Sequence, residues 1–296
     1  MRRIIDCHIH PPFEAKCFVD IAELNGINYS KEGLIADWKR NNVVAGIAMG
    51  LSETKEYAFP DKEAENPMLP GSLDLPDNLF FCLGVNPYRQ SEEDLLAFDK
   101  ALRNVKTIGI KIYGGYYHEY IYSNLYKPFY ELARNHKVPV AVHLSDVFGQ
   151  GGGLKFAHPL TMDELAGLYP DLTFIICHLG DPWNIDAAEV IARNKNVYSD
   201  LSGLIPGDRQ KVLEIKNDPY INTRWKQALA FLKHYGEGCG DNPLEKLMFG
   251  TDWPITELEP YIEFIEELIP DEYHDSVFFK TALEVFPKLK NLIEMH

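Results

Sequence analysis

The chain has 296 residues, of which 46% are hydrophobic and 25% charged, as is ordinary for a folded globular protein. Its formal net charge of −15, without a cluster of lysine and arginine, argues against nucleic-acid binding. The sequence has no apolar stretch near the ~20 residues of a membrane helix and no signal-peptide pattern. With five cysteines and no C-x-x-C pair, it is expected to be a reduced, cytoplasmic protein.

Eight short apolar runs predict eight β-strands, with longer amphipathic segments between them. Most of these runs end in Gly, Pro, Asn or Asp, which are typical turn residues. Because the runs are almost continuously apolar, they fit strands that are buried on both faces of a parallel sheet. The predicted strands are 4–10, 43–50, 79–87, 107–113, 138–146, 172–182, 196–203 and 246–254.

Helical patterns separate these strands. Ser91 is predicted to cap a helix with acidic residues in its first turn, and Thr161 with Glu164 predicts a capping box. Eight strand–helix units are the number that closes a (β/α)8 barrel, so we predict one distorted α/β TIM barrel over residues 1–296. A doubly wound open sheet is the alternative, but no glycine-rich phosphate loop follows any predicted strand.

Polar side chains at the ends of the predicted strands form a candidate metal site. His8 and His10 lie two residues apart in the first strand, so their side chains point the same way. His143 ends the fifth strand, His178 the sixth and Asp252 the eighth. In a barrel these carboxyl ends converge, and three histidines with one carboxylate suit zinc or another borderline metal. Each residue alone also fits a buried polar group, but together they predict metal binding at the C-terminal face.

Four motifs in order resemble the amidohydrolase superfamily: DCHIH at 6–10, VHLSD at 142–146, PDLTFIICHLGDP at 170–182 and FGTDWP at 249–254. The resemblance is to the amidohydrolase-related branch, which contains both hydrolases and metal-dependent decarboxylases. It runs from residue 6 to residue 286, nearly the whole chain.

The resemblance implies a role for each matching residue. His8, His10, His143 and Asp252 correspond to metal ligands, and Asp252 also takes the proton from the bound water. His178 corresponds to a residue that positions water or polarises the substrate in mononuclear members and binds a second ion in binuclear ones. One divalent ion is expected, with zinc preferred and manganese or iron as alternatives.

Lys111, in the fourth predicted strand, has two roles among similar proteins. In some members a carboxylated lysine here bridges two metals, and in others a lysine binds a substrate carboxylate or carbonyl. We favour one metal with Lys111 as a substrate-binding or structural cation, and neutralisation of Asp6 is the structural alternative. Tyr113 and Trp183 are also predicted to contact substrate, although Tyr113 lies in an aromatic cluster that fits ordinary packing equally well.

Two reactions fit this site. The first is hydrolysis, in which a metal-bound hydroxide attacks an amide, lactone or related carbonyl while Asp252 accepts the proton and His178 polarises the carbonyl. The second is non-oxidative decarboxylation of an aromatic or dienoic acid, with Lys111 available for the carboxylate. A metal-binding barrel without turnover is a third hypothesis, disfavoured because every predicted ligand is present. A small molecule is the expected partner, and a homodimer is compatible with such a barrel.

Overall fold

A parallel sheet of eight strands forms the centre of the molecule, and each strand pairs with the next in chain order. The computed structural model describes residues 2–11, 15–59, 61–69, 75–148, 151–239 and 242–293. The strands are β1 (Ile4–Ile9), β2 (Val43–Met49), β3 (Leu79–Gly84), β4 (Thr107–Tyr113), β5 (Val140–His143), β6 (Phe174–Ile176), β7 (Val197–Asp200) and β8 (Leu247–Met248).

The first strand and the segment after the last strand close the sheet into a barrel. The N–H of Asp252 donates to the carbonyl of His8 at 2.8 Å, and the N–H of His10 donates to the carbonyl of Trp253 at 2.7 Å. The predicted (β/α)8 barrel is therefore confirmed. Its closing seam joins two of the segments that carry predicted metal ligands.

Helices alternate with the strands and surround them. They are α1 (Lys16–Leu24), α2 (Lys31–Asn41), α3 (Glu92–Leu102), α4 (Lys127–His136), α5 (Leu154–Ala157), α6 (Leu160–Leu168), α7 (Asn184–Arg193), α8 (Arg209–Lys216), α9 (Pro219–Cys239), α10 (Leu258–Leu268), α11 (Thr281–Val285) and α12 (Pro287–Ile293). Within the described ranges, no helix combines the length and the apolar character that crossing a bilayer requires.

The two predicted helix starts have different outcomes. At Ser91 the side chain accepts from the N–H of Asp94, whose carboxylate accepts from the N–H of Ser91, so the cap is confirmed. The capping box at Thr161 is wrong. Helix α6 begins one residue earlier, so Thr161 lies in its first turn and its hydroxyl donates back to the carbonyl of His158 at 2.7 Å.

The apolar core has two main parts, which leave the carboxyl ends of the strands for the site. A large cluster fills the space between strands and helices, and a second cluster joins the strands to α11 and α12. Phe286 packs beside Gly109 near the start of β4, and Lys288 donates to the carbonyl of Thr107 at 3.0 Å. These helices therefore cover the amino ends of the strands.

Some strands are shorter than predicted. The run at 172–182 contains only the three residues of β6, because His178 and Leu179 turn the chain with φ values of 60° and 47°. Asp252, with φ 66°, likewise lies beyond the two residues of β8. Side chains predicted at strand ends thus project from the turns that follow them.

Candidate metal centre

His8, His10 and Asp252 lie together at the carboxyl end of the barrel, with His178 beside them, and His143 is joined to the group through His178. Nε2 of His8 is 3.4 Å and Nε2 of His10 is 3.1 Å from Oδ1 of Asp252. The ring of His178 is 4.7 Å from that of His8 and 4.9 Å from that of His143, between centroids. All five residues are buried, with exposed fractions of 7% or less.

Two of these residues have a left-handed backbone conformation. His178 and Asp252 have φ values of 60° and 66°, a conformation that costs a non-glycine residue about 1–3 kcal/mol. Hydrogen bonds hold both in place: the N–H of His178 donates to Oδ1 of Asp200 at 2.9 Å, and the N–H of Asp252 donates to the carbonyl of His8. Strain maintained in this way is typical of functional sites.

The three predicted ligands at the closing seam, His8, His10 and Asp252, are spaced as ligands of one metal ion would be. His8, His10 and Asp252 offer three ligand atoms within 4.8 Å of one another. Two ligands on a tetrahedral zinc ion, with bonds of ~2.0–2.1 Å, lie about 3.3 Å apart, close to the separations found here. Oδ1 of Asp252 is buried and has no partner among the described residues apart from the ring nitrogens of His8 and His10, which is expected of an oxygen that shares a cation with them.

His143 is oriented by its own loop. Its Nε2–H donates to the carbonyl of Asp146 at 2.8 Å, and the hydroxyl of Ser145 lies 3.1 Å from the same nitrogen. Nδ1 of His143 is therefore the atom available for a metal, and it faces Nε2 of His178 at 3.2 Å. A ligating histidine commonly donates its other N–H to a carbonyl in this way.

Asp200 was not predicted from the sequence, although it ends β7 and so meets the criterion that selected His143. Its Oδ2 lies 3.0 Å from Nδ1 of His8. With His8 and His178 it forms a second group of three whose ligand atoms lie within 4.8 Å of one another. The centre therefore has one more carboxylate than the sequence analysis assigned to it.

Burial controls the charge of the site. It lowers the pKa of His8 to about 3, and it also lowers the pKa of His10 and, strongly, that of His143. These imidazoles are neutral at neutral pH and keep a lone pair for a metal. Burial alone would raise the pKa of Asp252, but His8 and His178 hold it below the usual range, so this carboxylate is ionised.

Lys111 is fully buried below the histidines. Its Nζ lies 2.9 Å from Sγ of Cys177 and 3.5 Å from Nε2 of His8. The partner found for Asp6 is Thr251, whose hydroxyl donates to it at 2.7 Å. Lys111 is thus placed next to a predicted metal ligand, and both its substrate-binding and its bridging role remain predictions.

The two aromatic residues predicted to contact substrate lie in different surroundings. Tyr113 is buried, donates its hydroxyl to the carbonyl of Gly50 at 2.7 Å, and has its ring 5.3 Å from Nζ of Lys111. The half-buried ring of Trp183 packs 4.9 Å from that of His158. Tyr113 therefore borders the centre, whereas the contact found for Trp183 is with a neighbouring loop.

Aromatic rings also pack beside the site. Phe18 of α1 stacks on His10, with centroids 4.6 Å apart and planes 15° apart. The ring of Phe59 lies 4.7 Å from Tyr113 and 5.1 Å from Tyr116. We call these four residues, Phe18, Phe59, Tyr113 and Tyr116, the aromatic wall. Together with the buried histidines, it leaves little of the centre exposed to water.

Solved structures share this fold at low sequence identity. An uncharacterised TIM-barrel protein from Bordetella bronchiseptica is 16% identical, with a TM-score of 0.69 over 97% of this chain and 99% of that one. A probable 2-pyrone-4,6-dicarboxylic acid hydrolase from Acinetobacter baumannii, with citric acid bound, is 15% identical, with a TM-score of 0.60 over 96% and 99%. A 5-carboxyvanillate decarboxylase from Novosphingobium aromaticivorans, complexed with manganese and a nitrobenzoic acid, is 13% identical, with a TM-score of 0.57 over 97% and 96%.

Comparison of sequences assigns the chain to a family. No curated protein matches it. The profile of the amidohydrolase family matches residues 5–288, a range that includes all of the predicted site residues. Because this match spans nearly the whole chain, the protein belongs to the amidohydrolase family.

Proposed function

We propose that the protein is a metal-dependent hydrolase that acts on an amide, lactone or related carbonyl of a small molecule. One observation carries the proposal. Asp252 is a buried, ionised carboxylate whose Oδ1 has no hydrogen-bond partner among the described residues apart from Nε2 of His8 and of His10, which lie at ligand spacing from it. This arrangement suits a residue that both holds a cation and accepts a proton.

The residues of the chain divide the work of such a reaction. A bound divalent ion, zinc preferred and manganese or iron as alternatives, supplies Lewis acidity and lowers the pKa of a water molecule. His8, His10, His143 and Asp252 would hold it. Asp252 would take the proton of the attacking water and return it to the leaving group. His178 donates from Nδ1 to the carbonyl of Ser202, its Nε2 lies 3.2 Å from Nδ1 of His143, and it would polarise the substrate carbonyl.

The surroundings support a substrate with a flat apolar part. The aromatic wall places Phe18 against His10, and Tyr116 lies 4.9 Å from His143. Ring faces of this kind pack well against another ring and exclude water from the reacting groups. A cyclic or aryl ester or amide is therefore the substrate class we would test first.

Decarboxylation of an aromatic or dienoic acid is the second candidate. The observation in its favour is the buried ammonium group of Lys111, 3.5 Å from Nε2 of His8, which could attract a substrate carboxylate. We prefer hydrolysis because this group is fully buried and already lies 2.9 Å from Sγ of Cys177. A substrate carboxylate would have to displace these contacts to reach it.

The first test measures metal and product on the same preparation. Metal per chain is determined by plasma mass spectrometry on protein purified without chelators or a metal-affinity tag. The protein is then incubated with a panel of aryl and cyclic esters and amides and, separately, hydroxybenzoates. We expect about one ion per chain and release of a free carboxylate, and Asp252→Asn should abolish that release.

Two results would contradict the proposal in different ways. Release of carbon dioxide without ester or amide cleavage would replace hydrolysis by decarboxylation. A metal ratio near zero that persists after zinc or manganese is offered would remove the metal centre itself.

A further inference from the structure

Asp200 lies behind the metal centre, and each of its carboxylate oxygens holds a different histidine. We infer that Asp200 is the positioning residue of the site, setting the tautomer of His8 through Oδ2 and the placement of His178 through Oδ1. The inference rests on the proposed metal-dependent function. Asp200 thereby has a specific role in the site, although no sequence motif identified it.

The contact with His8 decides which ring nitrogen is free. Oδ2 of Asp200 lies 3.0 Å from Nδ1 of His8, and both side chains are buried. Because a carboxylate only accepts, Nδ1 must carry the proton. Nε2 then keeps its lone pair, in agreement with Lys111, whose Nζ donates toward it at 3.5 Å. This is the nitrogen that faces Asp252 and is predicted to ligate the metal.

The contacts with His178 use the other oxygen. Oδ1 of Asp200 accepts from the N–H of His178 at 2.9 Å, from the N–H of Ser202 at 3.1 Å and from the hydroxyl of Ser202 at 2.5 Å. With its proton directed to Asp200, that hydroxyl accepts from Nδ1 of His178 at 2.9 Å. Oδ1 therefore holds the left-handed backbone of His178 and, through Ser202, the direction of its ring.

An amide cannot replace this carboxylate. In Asp200→Asn, the side-chain amide has two possible orientations. In the first, the amide oxygen takes the place of Oδ1 and still accepts from His178 and Ser202, but the NH2 group points at Nδ1 of His8. His8 must then accept at Nδ1 and carry its proton on Nε2, which blocks the metal lone pair. In the second orientation, the NH2 group faces the three hydrogen-bond donors of His178 and Ser202 and can accept from none of them. Neither orientation therefore keeps the hydrogen bonds to both histidines.

The experiment measures zinc affinity, by competition with a chromogenic chelator, for wild type, Asp200→Asn and Asp181→Asn. The Asp181 carboxylate is a matched control because its two oxygens also accept, from Trp225 at 3.0 Å and from Arg224 at 2.9 Å, but not from a histidine ring. We expect Asp200→Asn to weaken zinc binding about 10- to 100-fold, as loss of a ligand's orienting carboxylate typically does. Asp181→Asn should stay within about threefold of wild type.

A measurement on metal-free wild type keeps the inference testable even if Asp200→Asn does not fold. Nitrogen NMR of 15N-histidine-labelled protein should show His8 with its proton on Nδ1. A proton on Nε2 would overturn the assignment, and so would equal zinc affinity in folded Asp200→Asn and wild type. Loss of one of two bound ions in Asp200→Asn would make Asp200 a ligand instead. Failure of wild type to bind zinc, manganese or iron would reject the proposed function, a result distinct from these.

Discussion

Asp252 and His8 are joined twice across the seam that closes the barrel. The N–H of Asp252 donates to the carbonyl of His8 at 2.8 Å, and Oδ1 of Asp252 lies 3.4 Å from Nε2 of His8. The backbone hydrogen bond is part of the barrel's closure, and the side-chain contact is part of the candidate metal centre. Closing the barrel therefore assembles the metal site, and anything that binds the site should in turn hold the barrel closed.

Metal binding should raise the thermal stability of the whole protein. A ligand that binds only the folded state stabilises it by about 2.7 kcal/mol at 100 times its Kd, which corresponds to roughly 4–5 °C in Tm for a chain of this length. Scanning calorimetry of chelated protein with and without zinc should show this rise. His10→Ala should lose most of it, whereas His234→Ala, on the exposed surface of α9, should keep it. An equal rise in both variants would place the stabilising ion elsewhere.

His178→Asn should keep the metal and lose the rate. His178 lies beside the seam ligands, and its Nδ1 is held by Ser202, so its removal takes away a polarising group without opening the seam. We expect kcat to fall about 10²- to 10⁴-fold at unchanged metal content. If the variant instead releases one of two ions, His178 is a ligand and the group of His8, His178 and Asp200 is a second metal site.

Lys111→Met distinguishes a substrate cation from a metal bridge. Methionine keeps much of the length of the buried side chain and removes its charge. With one metal, we expect unchanged metal content and a raised KM. The bridging interpretation predicts a drop from two ions to one, and metal content in wild type that depends on added bicarbonate. Plasma mass spectrometry with and without bicarbonate checks both.

The fold could be predicted from the sequence because parallel strands buried on both faces leave a strong apolar signal. The run containing β4 was placed correctly at both ends for this reason. Strands β6 and β8 were predicted too long, because the apolar pattern continues into the turns at His178 and Asp252. An apolar pattern does not reveal the left-handed backbone that ends each strand there.

The centre was predictable only in part. The contacts of His8 and His10 with Asp252 follow from alternation in one strand and convergence at the barrel mouth. The partner of Lys111 could not be predicted, because its contact with Cys177 crosses the barrel interior from β4 to the end of β6, past the intervening β5. Trp183 was selected for its place after a ligand-bearing strand, and only the course of its turn determines that it packs on His158.

Gly203→Ala should damage the site more than the fold. Gly203 has φ +62°, and an added Cβ would lie 2.9 Å from Oδ2 of Asp252 and 3.1 Å from Nδ1 of His178. Gly26 is the matched control, because its φ is +66° and no described atom lies within 4 Å of an added Cβ. Both variants should lose about 1–2 kcal/mol of stability from the left-handed backbone. Only Gly203→Ala should lose turnover, and equal activity in the two would show that Asp252 and His178 tolerate the displacement.

Asp6 is a buried carboxyl that accepts a hydrogen bond from the hydroxyl of Thr251 behind the seam. Burial raises its pKa to about 7, against the hydrogen bonds from Thr251, which act to lower it. Its usual value in an unfolded chain is about 3.9, so between pH 4 and 7 the folded state binds more protons at Asp6 than the unfolded state does. The contribution of Asp6 to stability is therefore complete below pH 4 and is lost as the pH rises to 7, by up to about 1.4 kcal/mol per pH unit.

A measurement on wild type alone would not show this pH dependence of Asp6, because the buried histidines also contribute to the pH dependence of stability. The lowered pKa of His8 makes stability rise with pH over part of the same range, with the opposite sign. Asp6→Asn isolates the carboxyl, because asparagine resembles its protonated form at every pH. Urea unfolding of chelated protein at pH 5 and pH 8 should show the variant gaining stability relative to wild type as the pH rises. A stability difference that is the same at both pH values would mean that Asp6 is ionised in the folded protein throughout and that its charge is compensated within the seam.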